Sequence, residues 1–315
     1  MQSTTLKGVI SLCAGAFVFS IQDVLLKYVA GSYPLSEAIV LRTIVAVPIL
    51  FALVVYSGDL AMLLRNAGFL TARALMLFMA YTLYYLAFPA LPLADATALY
   101  FTVPLFVAVM AGPYLGEHSN WKVWSAVAIG LAGVLIALRP GLGVFEPAAL
   151  LSLLAAASYA FSQLMARKVG AETSGPVLSL YQNGVFLIAA VALALLFQVA
   201  AIETPAHPSL KFLVRPWVWP TMTDGLIMCA CGVVASAGTV LLANGYRYAA
   251  ANTAASFEYT GLIWLMLWGW LVFNETPKAT TVAGAVLIVA AGLAALAAQR
   301  PRRAVRLPEA VSEKI

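Results

Sequence analysis

Ionisable side chains inside apolar segments are the first candidates for chemistry in this chain. Asp23, Arg42 and Glu258 each interrupt a long run of apolar residues. A charge at the centre of a bilayer costs about 3 kcal/mol or more, so such residues usually bind a substrate, carry a proton or pair with one another. Two interpretations of Arg42 stay open: a direct ion pair with Asp23 inside one helical hairpin, and a contact with a substrate carboxylate.

Glu258 is the most isolated of these groups. It stands nine residues into an apolar segment, which corresponds to a depth of about 13 Å in a helix that crosses a bilayer. No basic residue lies at helical spacing from it. The sequence predicts a proton relay or a contact with a substrate amine. The alternative is a carboxyl group that is hydrogen-bonded to neighbouring helices.

Amide, hydroxyl and tyrosine side chains form a second set of candidates within the apolar segments. Tyr81, Tyr84, Tyr85 and Phe88 share one helical face. A cavity lined by tyrosine would suit aromatic side chains or organic cations, although an aromatic stripe is also typical of packing. The predicted substrate-binding residues are Tyr84, Tyr100, Tyr159, Gln163, Asn244, Tyr248, Ser256 and Glu258. Amides can equally serve as polar contacts between helices.

Motifs of membrane enzymes are absent from the sequence. There is no Asp-rich pair, no His-Glu-x-x-His, no Gly-x-Ser-x-Gly and no phosphate-binding glycine loop. His118 and His207 lie in predicted loops, and Cys229 and Cys231 lack the spacing of a zinc site. We therefore expect no catalytic residue, no metal and no cofactor.

The composition requires lipid as the main solvent. Of 315 residues, 63% are hydrophobic and only 10% are charged, against about 25% charged in soluble domains. The net charge of +5 fits cytoplasmic anchoring of membrane segments better than nucleic-acid binding. Ten apolar segments of membrane-spanning length are predicted: 8–29, 34–56, 68–90, 94–115, 121–138, 147–168, 176–200, 223–248, 250–273 and 280–299.

An internal repeat organises these segments into two halves. The stretch from Leu91 to Glu117 returns from Tyr248 to Glu275, with the two glutamates 158 residues apart. At a separation of 140 residues, Lys27 corresponds to Arg167, Asp23 to Gln163, and Arg42 to Gln182. Five segments per half force the second half to enter the membrane in the opposite sense. The predicted divisions are 1–140, 141–299 and a polar tail at 300–315.

The distribution of basic residues predicts the orientation. With a cytoplasmic N-terminus, twelve Lys and Arg residues lie on the inner side and five on the outer side, as the positive-inside rule requires. Both termini are therefore expected in the cytoplasm.

These features resemble the EamA-type family of drug/metabolite transporters over roughly residues 5–298. The resemblance rests on the two five-segment halves, on Gly116-Glu117 after Pro104, and on a glycine-rich fifth segment. It implies a bacterial inner-membrane exporter of amino acids and other small metabolites. It also suggests a place near the branch that exports aromatic amino acids and cationic drugs. Leu262 corresponds to Pro104 in the repeat, so a second proline would be expected there. The leucine is a departure from the repeat.

The sequence thus predicts an all-α membrane protein of ten transmembrane helices, arranged as an inverted repeat of two five-helix halves. It would act as a secondary exporter by alternating access, with the first, third, fourth, sixth, eighth and ninth segments lining a central cavity. Its expected partners are a small-molecule substrate and the lipid bilayer, in a monomer or weak homo-oligomer. The alternatives are a nucleotide-sugar carrier, a membrane enzyme acting on lipid-linked substrates, and a structural subunit.

Overall fold

The described part of the chain is helical. The structure is a computed structural model, and it describes residues 2–116, 121–138, 146–169, 173–200, 206–248 and 259–298. The helices are α1 Gln2–Ala30, α2 Leu35–Tyr56, α3 Ala67–Ala87, α4 Leu93–Tyr100, α5 Val103–Leu115, α6 Trp121–Leu138, α7 Ala148–Val169, α8 Gly175–Ala200, α9 Pro208–Val214, α10 Met222–Tyr248, α11 Thr260–Phe273 and α12 Ala279–Ala298. A 3₁₀ turn, Leu60–Leu63, follows α2. The all-α prediction is confirmed.

Many of these helices have the length and composition of membrane spans. Within the described residues, seven helical spans are long and apolar enough to cross a bilayer, α4 and α5 together counting as one. Three shorter apolar helices are Trp121–Ala137, Thr260–Phe273 and Ala279–Ala294. Apolar side chains that face outward, such as Ile188 and Val199, fit a lipid surface, because lipid imposes no penalty on them.

The predicted segment 94–115 is two helices. Helix α4 ends at Tyr100, and α5 begins at Val103. Pro104 has no backbone N–H to donate, so it fits the first turn of a new helix better than the middle of an old one. The Thr102 hydroxyl donates to the Leu99 carbonyl at 2.7 Å and satisfies a carbonyl near the end of α4. The break places irregular backbone in the middle of the bundle.

Helix packing follows the internal repeat. When α7 is set against α1, and α10 against α3, the contacts come in matched pairs: α1 packs on α10 as α7 packs on α3. Likewise α5 packs on α7 as α11 packs on α1. Helices α6 and α12 pack on each other with backbones in close approach. A Cβ atom at Gly133 would lie 2.9 Å from the Gly284 carbonyl oxygen, so small residues are required at this crossing.

A short helix covers one end of the bundle. The sequence predicts a loop between Ala201 and Met222, but the structure contains α9 there, starting at Pro208. After α9, Arg215 donates to the Gly31 carbonyl at 2.8 Å, and the Trp217 indole donates to Ser36 Oγ at 3.0 Å. Prolines obscured α9 in the sequence, although proline is common in the first turn of a helix.

Candidate functional site

A cavity of about 140 Å³ lies between the helices. Its walls come from α1, α3, α4, α5, α7, α10 and α11, so each of the six segments predicted to line a cavity contributes to it. Most of the wall is apolar or aromatic. The polar side chains on it are Ser20, Asp23, Tyr81, Tyr84, Thr97, Tyr100, Tyr159 and Tyr259.

Five tyrosines from three helices form a closed series of ring contacts, which we call the tyrosine ring. Its members are Tyr81, Tyr84 and Tyr85 on α3, Tyr100 on α4 and Tyr159 on α7. The centroid distances are 5.7 Å for Tyr81–Tyr85, 5.9 Å for Tyr84–Tyr85, 4.5 Å for Tyr84–Tyr100, 5.7 Å for Tyr100–Tyr159 and 6.3 Å for Tyr81–Tyr159. These separations are those of favourable aromatic pairs. All members except Tyr85 line the cavity.

Asp23 is the acidic group among the described residues that line the cavity. Its side chain comes from α1 and is 9% exposed. The Tyr84 hydroxyl lies 3.4 Å from Asp23 Oδ2 and 3.1 Å from Thr97 Oγ1. Within the described part of the chain, no other side chain bonds to this carboxylate. Asp23 therefore brings an acceptor with spare capacity into a largely apolar space.

Arg42 lies behind the tyrosine ring. It is 3% exposed, donates to the Tyr85 hydroxyl at 3.2 Å and lies over the Phe186 ring at 5.5 Å. Gln22 also donates to the Tyr85 hydroxyl, at 2.8 Å. The arginine therefore braces Tyr85 from outside the cavity.

The direct Asp23–Arg42 ion pair considered from the sequence is not formed among the described residues. Asp23 bonds to Tyr84, whereas Arg42 bonds to Tyr85. Similar depth along two helices made the pair plausible, but depth does not fix the direction in which each side chain leaves its helix. Here α3 supplies a separate tyrosine to each of the two groups.

A set of contacts around Lys27 lies one helical turn beyond Asp23 on α1, and we call it the Lys27 clamp. Lys27 Nζ lies 2.5 Å from Glu275 Oε1 and donates to the Leu91 carbonyl at 2.9 Å. Glu275 Oε2 accepts the backbone N–H of Leu93 at 2.9 Å, which satisfies an otherwise unpaired donor at the start of α4. Lys27 is one helical turn from Asp23 on the same face of α1. The clamp therefore lies next to the Asp23 end of the cavity.

A second bond reinforces the clamp. Thr281 Oγ1 on α12 donates to Asp95 Oδ1 on α4 at 2.6 Å, and the Phe273 ring lies 5.1 Å from Lys27 Nζ. The start of α4 is thus tied to α1 on one side and to the α11–α12 connection on the other.

The structure brings together part of the predicted site. Tyr84, Tyr100, Tyr159 and Asp23 all line the cavity. Gln163 does not line it, but its amide donates to the Tyr159 hydroxyl at 2.7 Å and supports that ring from one turn further along α7.

The side chains of the other predicted residues lie outside the described set, and a role in substrate binding stays a prediction for the whole predicted site. Asn244 and Tyr248 lie on α10, but their side chains are outside the described set, and Ser256 and Glu258 fall between the described ranges. The predictions for these four residues stay predictions.

Several cavity residues were missed from the sequence. Tyr81 belongs to the aromatic stripe that contains Tyr84, so helical spacing could have added it. Ser20 precedes Asp23 by three residues and shares its helical face. Its hydroxyl accepts from the Trp268 indole at 2.9 Å. No local signal marks Lys27 and Glu275 as partners, because they are 248 residues apart.

Comparison with known proteins gives a consistent family. Residues 6–139 and 146–296 each match the model of the EamA-like transporter family. The pseudopaline exporter CntI of Pseudomonas aeruginosa (strain UCBPP-PA14) is 27% identical over 288 residues, covering 91% of this chain and 95% of that protein. An S-adenosylmethionine uptake transporter of Rickettsia prowazekii (strain Madrid E) is 26% identical over 92% of each chain.

Two further matches extend this set. A riboflavin transporter of Vibrio cholerae is 28% identical over 66% of this chain and 63% of that protein. A solved protein structure of unstated function has a TM-score of 0.60 at 17% identity, over 94% of this chain and 96% of the other. At that identity the likeness shows the fold alone. These relatives are not named as aromatic amino acid exporters, so they do not support a place in that branch.

Proposed function

The chain belongs to the EamA-like transporter family, and we propose that it exports small amphipathic metabolites, with amino acids, including aromatic ones, as the first candidates. It is an integral membrane protein of a family of small-metabolite transporters and is not an enzyme. The observation that carries the proposal is the tyrosine-lined cavity between helices from both halves of the chain, with one carboxylate on its wall.

The proposed architecture is ten transmembrane helices in an inverted repeat. Two successive family matches and the matched helix contacts support a duplication. Five segments in each half would then reverse the second half relative to the first. The excess of basic residues on one side supports cytoplasmic termini in a bacterial inner membrane. In this orientation the Lys27 clamp lies at the outer face.

Alternating access is the proposed mechanism. Helices of the first half, such as α1 and α4, and helices of the second, such as α7 and α11, face each other across the cavity. The Lys27 clamp joins the two halves, because Lys27 and Leu93 belong to the first and Glu275 to the second. Opening the outer end of the cavity would require these contacts to break. Rocking of one half against the other would break them. The cavity lies within one chain, so a monomer suffices.

The character of the wall supports an amphipathic substrate. Aromatic and aliphatic side chains provide most of the surface, and few polar groups fix orientation, as in typical small-molecule sites. The relatives include an exporter and an uptake transporter, so family membership alone leaves the direction open. A nucleotide-sugar carrier would need cations facing the cavity. Among the described lining residues there is no Lys or Arg, which favours the amino acid proposal.

Proton coupling through Glu258 is a separate proposal that rests on sequence alone. The residue stands in an apolar segment without a basic partner at helical spacing, and such groups often carry protons in transporters. Glu258→Gln should abolish the response to a pH gradient while leaving counterflow intact. A wild-type pH response in this variant would remove Glu258 from the mechanism.

The test of transport is counterflow in proteoliposomes. Purified protein is reconstituted, loaded with an unlabelled amino acid and assayed for uptake of the labelled compound, with a second arm under an imposed pH gradient. Protein-free liposomes provide the background, and Tyr100→Ala provides a cavity variant that should exchange more slowly. Absence of exchange for amino acids, their amines and related metabolites would contradict the proposed function.

A further inference from the structure

We propose that Asp23 and the tyrosines around it form a subsite for the positively charged group of the transported molecule. The substrates would then be organic cations and zwitterions that carry a protonated amine, and organic anions would be rejected. This inference rests on the proposed function and deepens it, because it assigns a chemical class to the same cavity.

The first reason is the incomplete bonding of the Asp23 carboxylate. A carboxylate has about four acceptor positions, and the described residues offer it one hydroxyl, that of Tyr84, at 3.4 Å. Hydroxyl bonds to carboxylates usually measure about 2.5–2.7 Å, so this contact is long. A buried carboxylate that keeps its charge needs a stronger partner. A ligand cation in the cavity would supply it.

The second reason is that the neighbouring bases are engaged elsewhere. Lys27, one turn away, is bound to Glu275 and to the Leu91 carbonyl. Arg42 is bound to Tyr85 and lies over the Phe186 ring. Neither forms a salt bridge with Asp23. The carboxylate is therefore the one charged side chain on the described cavity wall, and a cation in the cavity would meet it without displacing a salt bridge.

The third reason is the aromatic wall beside the carboxylate. Tyr84 bonds to Asp23. Its ring centroid lies 4.5 Å from that of Tyr100, which in turn lies 5.7 Å from the ring centroid of Tyr159. The faces of such rings attract organic ammonium groups. Metal cations are poorly suited, because they need several oxygen ligands at short distance, whereas this wall is largely carbon. Aromatic faces with one carboxylate match an alkylammonium group.

Zwitterions belong to the class because they carry the same protonated amine, whereas the further buried base on α3 stands away from the cavity. Arg73 on α3 is 8% exposed, its Nε has no hydrogen-bond partner, and no carboxylate pairs with it in the described residues. It stands about two helical turns before Tyr81 on α3 and is not among the described residues that line the cavity. A simple anion lacks the amine that Asp23 would bind.

The test is ligand binding to the purified full-length protein with matched sets of ligands. One set is tyramine, tyrosine and 4-hydroxyphenylpropionate, and the other is tryptamine, tryptophan and indole-3-propionate. Titration calorimetry should show binding of the amines and amino acids, with the acids at least tenfold weaker. Asp23→Asn should weaken amine binding at least tenfold, whereas Asp23→Glu should retain part of it. Asp59→Asn is the matched control, because Asp59 lies before the 3₁₀ turn, away from the cavity, and makes no capping bond.

Three results would overturn the subsite: acids that bind as tightly as amines, amines that do not bind, or an Asp23→Asn protein that binds amines like the wild type. The last result would mean that Asp23 acts as a neutral hydrogen-bonding group. Gel filtration and thermal melting show whether the Asp23→Asn protein is folded. If it is not folded, amine binding is compared between Asp23→Glu and the wild type instead. Counterflow with the same ligands separates the two proposals. If acids exchange as well as amines do, the proposed subsite is wrong but the transport function stands. If no ligand exchanges, the proposed transport function is wrong.

Discussion

The first hairpin of each half carries polar residues at two matching positions, which are charged in the first half and neutral in the second. Asp23 and Arg42 of the first half correspond to Gln163 and Gln182 of the second. Asp23 faces the cavity, and Arg42 is buried behind it. Gln163 bonds to a tyrosine on its own helix, and Gln182 makes no hydrogen bond within the described chain. Among the described residues, the first half therefore contributes a charged wall to the cavity and the second half a neutral wall.

The difference lies in how far each side chain reaches. Asp23 and Arg42 both contact α3, so they hold the tyrosine ring from another helix. Gln163 contacts Tyr159 four residues earlier on α7, which is a local bond of the kind that a helix surface readily provides. A repeat can preserve helix lengths and crossings while a few substitutions give the two walls different chemistry.

Moving the negative charge from position 23 of the first half to position 163 of the second half should have the largest effect on exchange. Asp23→Gln is expected to slow exchange of cationic and zwitterionic substrates at least tenfold, since charged hydrogen bonds contribute about 1.5–3 kcal/mol and tenfold corresponds to about 1.4 kcal/mol. Adding Gln163→Asp should not restore exchange, because position 163 lies outside the described cavity wall. The measurement is counterflow of each variant. Recovery in the double variant would show that the two walls are interchangeable.

The Lys27 clamp should produce the next largest effect. Lys27→Met leaves Glu275 with the Leu93 N–H alone, and Glu275→Gln leaves Lys27 with the Leu91 carbonyl and the Phe273 ring. We expect each change to lower the maximal exchange rate several-fold with little change in ligand affinity, because the clamp holds the closed state without touching the described cavity. Rates and dissociation constants measured on the same preparations separate the two effects. A loss of affinity equal to the loss of rate would place Lys27 in the binding site.

The repeat gives the clamp a counterpart. Lys27 corresponds to Arg167, and Glu275 to Glu117, so the sequence predicts a second pair at the opposite end of the bundle. Glu117 and the side chain of Arg167 are outside the described set, and the pairing is a prediction from sequence alone. Replacing both charges by neutral residues should restore exchange that either single replacement impairs. Additive losses would argue against a pair.

The sequence was informative where the bilayer imposes a simple rule. A span needs about 20 apolar residues, so helices such as α2 and α8 were visible within a few residues of their ends. The aromatic face around Tyr84 followed from an equally local rule, whereas the break before α5 was not predicted, although Pro104 favours one. Three tyrosines that were predicted from such patterns, Tyr84, Tyr100 and Tyr159, line one cavity in the structure.

Long-range geometry was not visible in the sequence. The depth of Asp23 and Arg42 could be counted, but the directions of their side chains depend on how α1, α2 and α3 pack. The Lys27–Glu275 contact joins residues far apart in the chain, and its partners gave no local signal. Helix α9 was hidden among prolines that are usual in loops. In each case packing between elements, rather than local propensity, decided the outcome.

Arg42 should have a smaller effect than the clamp. The Arg42 guanidinium lies outside the described cavity wall and donates to the Tyr85 hydroxyl, and Gln22 still donates to that hydroxyl when Arg42 is gone. We therefore expect Arg42→Met to change exchange less than about threefold and to affect amines and amino acids alike. The comparison of tyramine with tyrosine is the measurement. A selective loss of tyrosine exchange would mean that Arg42 binds the substrate carboxylate.

The neutral wall should give the smallest effect, and it offers an internal comparison. Gln163→Leu removes the 2.7 Å bond to the Tyr159 hydroxyl, and a neutral hydrogen bond contributes about 1 kcal/mol. Gln182→Leu removes no hydrogen bond from the described structure. Gln163→Leu should therefore weaken ligand binding up to about fivefold through a less well-held Tyr159, whereas Gln182→Leu should bind as the wild type does. Calorimetry on the two variants, with melting temperatures as the check on folding, measures this difference. If Gln182→Leu weakens ligand binding more than Gln163→Leu does, position 182 contributes to binding from the second half. The correspondence of Gln182 with Arg42 would then have a functional meaning that the hydrogen bonds do not reveal.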